Sequence, residues 1–124
     1  MRDPCPGSLS ISRLAPIILA RYRMICSPMP EYLYLIHPFR EGFFKEPTPE
    51  EDKAMEEHFH YLKQAAGTGQ VLLAGPCLDD TFGLIVFQAQ DDAAARAFMH
   101  NDPSVKANVM LAELHPMRVS LRAK

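Results

Sequence analysis

Two stretches of this chain are apolar on both faces of an extended strand. Residues 31–37 read EYLYLIH and residues 82–89 read FGLIVFQA. A strand with one wet face alternates apolar and polar side chains, whereas one covered on both faces runs apolar throughout. Helices laid on one side of a sheet hide only one face of such strands. A second layer must hide the other, which narrows the folds open to a chain of 124 residues.

The segments around these strands supply the first layer. Thr48-Pro49-Glu50-Glu51 is a helix start, with threonine at the N-cap, proline at N1 and glutamate at N3 closing a capping box. The spacing predicts a helix to about Ala66, with Met55, Phe59, Leu62 and Ala66 as its buried stripe and Gly67 and Gly69 as its stop. Residues 70–74 (QVLLA) form a short second strand, 75–81 a turn, and 82–89 the third strand. Asp91 or Asp92 caps a second helix over 93–100, which packs through Ala94, Ala95, Phe98 and Met99. Asp102-Pro103 restarts a brief helical turn. Residues 110–121 form a fourth strand, with Pro116 at a bend or an exposed edge. The order is β-α-β-β-α-β: an α+β, ferredoxin-like fold with a four-stranded antiparallel sheet and helices on one face. A second copy packed sheet to sheet is the simplest cover for the open face, since a monomer would leave more apolar surface wet than soluble monomers tolerate.

Residues 1–28 differ from this pattern. Pro4, Pro6, Pro16 and Pro28 interrupt them, Asp3 is their one acid, and no helical or strand period is sustained. We expect a poorly ordered extension there, with Met24 or Met29 as the biological start and a single compact domain over 29–122. The longest apolar run, LAPIILA at 14–20, is far shorter than the ~20 residues of a membrane span. Arg21 and Tyr22 stand where a leader peptide would need small residues for cleavage. A net charge of −2, with scattered basic residues, gives no footprint for nucleic acid or for an anionic membrane. Cys5, Cys26 and Cys77 form neither a disulfide framework nor a zinc motif, which fits reduced thiols in the cytoplasm. The expected partners are a small-molecule ligand and a second copy of the chain.

Few residues can carry chemistry. On the predicted helix His58 lies about 60° from Met55 and about 40° from Leu62, flanking the apolar stripe, while His60 points away. An imidazole placed there can serve as general acid or base near neutral pH, or it can be a hydrogen-bonded histidine at a helix–sheet seam. Asp102 before Pro103 is an efficient N-cap, and a cap can still turn one carboxylate oxygen toward a histidine. Gly75 and Pro76, with Asp79 in the following turn, are candidate substrate-binding positions; Asp79 and Asp80 also read as plain turn residues. His37 and His115 are pocket liners or surface residues. No three ligands have metal-like spacing, and no glycine-rich loop joins a strand to a helix, so no cofactor is expected.

H-x-x-Y-L at 58–62, A-G-P at 74–76 and D-P-x-V-K-A at 102–107, in this order and spacing, resemble the YCII-related (YciI-like) family over residues 31–119. The resemblance implies a dimeric α+β barrel whose histidine and aspartate, here His58 and Asp102, form a pair lining a pocket. Members are mostly described as enzyme-like proteins without an assigned activity, and one is linked to breakdown of chlorinated hydroquinones. A branch of the family carries D-G-P-F where this chain has AGPCLDDTFG, so that branch's association with transcription factors does not transfer. Two functions follow as expectations. One is a cofactor-independent enzyme, lyase-, hydrolase- or dehalogenase-like, in which His58 moves a proton on a small cyclic or aromatic metabolite and Asp102 orients it. The other is a non-catalytic ligand-binding or dimerisation module. The distance from the His58 ring to the Asp102 carboxylate, and the space beside the ring, separates them.

Overall fold

The computed structural model describes residues 29–123, and the expected loose extension over 1–28 lies outside them. The described residues run β1 (Glu31–Pro38), α1 (Pro49–Gly67), β2 (Val71–Pro76), β3 (Gly83–Gln88), α2 (Asp92–His100), a short α3 (Pro103–Lys106) and β4 (Met110–Met117). The strands form one antiparallel sheet in the order β2-β3-β1-β4. This is the expected α+β, ferredoxin-like arrangement, and the two doubly apolar strands occupy its centre. Pro76 and Pro116 fall on the outer strands β2 and β4, where a missing N–H costs least.

Alternation along β1 puts Tyr32, Tyr34 and Ile36 on the buried face, in register with Phe87, Ile85 and Gly83 of β3. Ala54, Leu62 and Ala65 of α1 and Ala95, Phe98 and Met99 of α2 close over them. Tyr34 sits edge-on to Phe87 at 5.5 Å and to Phe98 at 6.2 Å, arrangements that aromatic quadrupoles favour. The opposite face carries Leu33, Leu35 and Leu84, all half-buried, with Leu73 and Leu111 exposed.

The first helix begins as its sequence dictates. Thr48 Oγ1 accepts from the Glu51 N–H at 3.1 Å, and Glu51 Oε1 accepts from the Thr48 N–H at 2.9 Å. Its buried stripe differs from expectation. Glu51, Ala54, Leu62 and Ala65 face inward, Phe59 is 62% exposed and Ala66 is wet. Small Ala54 and Ala65 let the helix lie close to the sheet, and that rotation brings His58 into the middle of the inward stripe. Two boundaries also move. Gly75 and Pro76 belong to β2 rather than to the turn after it, and β4 ends at Met117. Ala94, expected in the core, is exposed.

Candidate active site

Asp102 is the N-cap of α3, and Pro103 at N1 presets the turn. Its Oδ1 accepts from the Ser104 N–H at 2.9 Å, which is ordinary capping. The same carboxylate does more. His58 Nδ1, reaching across from α1, lies 2.8 Å from both Oδ1 and Oδ2. Tyr34 of β1 donates its hydroxyl to Oδ2 at 2.6 Å, and Ser104 Oγ donates to Oδ1 at 2.9 Å. Asp102, Ser104 and Tyr34 are fully buried, whereas the His58 side chain keeps 12% of its surface.

Burial by itself pushes the Asp102 carboxyl up. The hydrogen bond and charge of His58, then the Tyr34 hydroxyl and the Ser104 N–H, outweigh it and hold the carboxyl below its ordinary value. Tyr34 moves the other way, well above the ordinary phenol range, through burial and then through the charge and hydrogen bond of Asp102. Tyr61, on the next turn of α1, is pushed up to about 12 by burial and then by the same charge. An ionised Asp102 can only accept, so the hydrogen-bond network assigns the His58 proton to Nδ1. In the neutral ring Nε2 then carries the lone pair, and no hydrogen bond to it forms among the described residues. That is the equipment of a general base.

Beside the ring lies a cavity of about 720 Å³ between α1 and β2, within the range of small-molecule sites. Its walls are mostly apolar, with Met55 and Leu62 of α1 beside four phenylalanines: Phe59 of α1, Phe43 and Phe44 from the loop after β1, and Phe82 before β3. Arg40 anchors that loop. Its guanidinium grips Glu51 through Nε at 2.8 Å and Nη2 at 2.7 Å, and Nη2 also donates to the Glu46 carbonyl at 2.7 Å. The Arg40 hydrogen bonds, then the Thr48 N–H, lower the Glu51 carboxyl to about 2. Phe43 and Phe44 stand edge to face at 5.1 Å on the loop so fixed.

The sequence candidates separate cleanly. His58 and Asp102 come together, 44 positions apart in the chain. Gly75 and Pro76 line the cavity. Asp79 does not: its Oδ1 accepts from the Thr81 hydroxyl at 2.6 Å and the Thr81 N–H at 3.2 Å, closing its own turn, while Asp80 reaches the cavity wall. His37 and His115 are exposed, and His115 pairs with Glu113 at 3.1 Å. Among the described residues no cluster of three or more His, Cys, Asp or Glu side chains could hold a metal ion, and no helix is long and apolar enough to cross a membrane. Neither Tyr34 nor Ser104 stands out in the sequence as a site residue. Tyr34 reads as one more apolar strand residue, and nothing local tells that its hydroxyl meets a carboxylate 68 residues on. Ser104 was readable from D-P-S as a capping partner, though not as a neighbour of His58.

The pattern of the YCII-related domain matches residues 20–117. No curated protein matches the chain. Among solved structures, it is similar to the 5-chloro-2-hydroxyhydroquinone dehydrochlorinase TftG of Burkholderia phenoliruptrix AC1100, solved in complex with 2,5-dihydroxybenzoquinone. The TM-score is 0.54 at 18% identity, over 70% of this chain and 93% of that one. An uncharacterised protein of Thermotoga maritima aligns with a TM-score of 0.41 at 14% identity, over 71% of this chain and 95% of the other.

Proposed function

The chain belongs to the YCII-related domain family, and from that premise we propose that it is a small cofactor-independent enzyme performing general acid/base chemistry on a compact cyclic or aromatic metabolite. One observation carries the reading: the His58–Asp102 hydrogen bond at 2.8 Å stands at the wall of an apolar cavity to which four phenylalanines contribute. In this mechanism His58 Nε2 takes a proton from a tetrahedral ring carbon, of the kind that the keto form of a hydroxylated ring presents. The electron pair released forms a new double bond as the leaving group departs with its own pair from the neighbouring carbon. Asp102 stabilises the imidazolium so formed and keeps the ring turned toward the cavity. The imidazolium then returns its proton to the departing anion or to water. A fold shared with a protein described as a dehydrochlorinase supports elimination over the alternatives. Gly75 and Pro76, with no bulky side chain at the glycine, form the part of the wall on which the ring rests.

Two further features belong to the same proposal. The chain works as a homodimer whose sheets pack face to face, because Leu33, Leu35 and Leu84 otherwise meet water. Its cysteines, with no pairing motif in the sequence, suit the reducing cytoplasm.

The test is a panel of hydroxylated and halogenated single-ring aromatics, followed by ultraviolet absorbance and by halide release. Wild type is expected to turn over at least one member, and His58→Gln to lose about 10²-fold or more of that rate while still binding it. Equal binding by both proteins with no turnover by either would instead make the chain a ligand-binding module.

A further inference from the structure

We propose that Tyr34 and Ser104 are positioning residues for the His58–Asp102 pair: they hold the Asp102 carboxylate in one orientation and in its ionised form, so that it steers His58 without taking its proton. A carboxylate offers about four acceptor sites on its two oxygens. Here four donors face them: the Tyr34 hydroxyl, the Ser104 N–H, the Ser104 hydroxyl and His58 Nδ1–H. Asp102 has no exposed surface, so water cannot stand in for any of them. Protonating Asp102 would aim an O–H at groups that are themselves donors. The backbone N–H cannot reverse, the imidazole could accept at Nδ1 only by moving its proton to Nε2 and so losing the free lone pair there, and the Tyr34 hydroxyl has no other acceptor among the described residues.

The donors also come from separate elements, which fixes orientation as well as charge. Tyr34 projects from the central strand β1, Ser104 from the first turn of α3 and His58 from α1. Rotation of the carboxylate about its last bond would break at least two of these contacts. Tyr61 of α1 feels the same negative charge, but its hydroxyl is engaged elsewhere, donating to the Phe98 carbonyl at 2.8 Å. Tyr34, Ser104, His58 and Tyr61 are therefore the groups that face Asp102 from the surrounding elements.

The assignment rests on the acid/base reading of His58, and its test needs no substrate. In the carbon-13-labelled full-length chain, the Asp102 carboxyl carbon is followed by NMR against pH, with far-UV circular dichroism reporting the folded state at each point. In wild type the carboxyl is expected to stay ionised to below the ordinary aspartate range. Tyr34→Phe keeps the ring against Phe87 and Phe98 and removes only the hydroxyl; Ser104→Ala removes only Oγ and keeps the capping N–H. Each variant should move the Asp102 midpoint upward, and the pair together further. At neutral pH, the His58 Nδ1–H proton should exchange with solvent faster in either variant than in wild type. Should Tyr34→Phe fail to fold, Ser104→Ala carries the test alone. An Asp102 midpoint unmoved in the folded variants, with stability alone reduced, would reduce both residues to packing and overturn the proposal. That result would leave the base role of His58 to the turnover assay, just as a failed assay would leave the positioning intact.

Discussion

At the scale of single residues, Asp102 has two roles that mutation can separate. Asp102→Ala removes the α3 cap and strands the Tyr34, Ser104 and His58 donors in a dry interior. We expect a loss of about 3 kcal/mol in urea unfolding, the sum of a missing cap and unsatisfied buried donors. Asp102→Asn preserves the shape and part of the cap, so its stability loss should be smaller. It nevertheless replaces a charged acceptor by an amide that can also donate, which frees His58 to adopt the wrong tautomer. Turnover should fall by roughly 10²–10⁴-fold, read in the same halide-release assay. The sign of the pH effect follows from the depressed Asp102 carboxyl. Its stabilisation is present above the ordinary aspartate range and is lost as pH falls through the lower folded-state value.

At the scale of elements, the start of α1 and the loop before it form one unit, because Glu51 serves both. Its carboxylate closes the capping box with Thr48 and receives the Arg40 fork. Thr48→Ala should cost about 1 kcal/mol, the usual value of an N-cap, measured by thermal or urea unfolding. Glu51 titrates near 4.5 in the unfolded chain and at about 2 in the fold. Its contribution is complete above about 4.5 and drains away as pH falls toward about 2. Arg40→Gln should flatten the dependence of the urea midpoint on pH across that window. An unchanged slope would mean that the guanidinium does not govern Glu51. The same variant should loosen the Phe43–Phe44 wall and weaken aromatic ligands without altering the His58–Asp102 distance.

At the scale of the whole molecule, the sheet is finished on one face only. We expect light scattering to give about twice the 14.0 kDa chain mass, and Leu35→Lys on the open face to give a folded monomer. A single-chain mass for wild type at micromolar concentration would leave that face to another partner. Much of this organisation is written locally. The apolar runs of β1 and β3 place them at the sheet centre, T-P-E-E starts α1, and Asp102-Pro103 starts α3, because propensity, capping and strand period act over a few residues. The stripe of α1 was legible only in part, at Met55 and Leu62, since Phe59 is as apolar as any core residue; only contact with the sheet decides that Ala54 and Ala65 lie inward and Phe59 at the cavity. Likewise the family resemblance marks His58 and Asp102 as candidates, yet by local pattern each reads more simply as a seam histidine and a helix cap. Their union with Tyr34 and Ser104 exists only once β1, α1 and α3 converge, because a hydrogen bond between residues 44 or 68 positions apart is a property of packing and leaves no local trace.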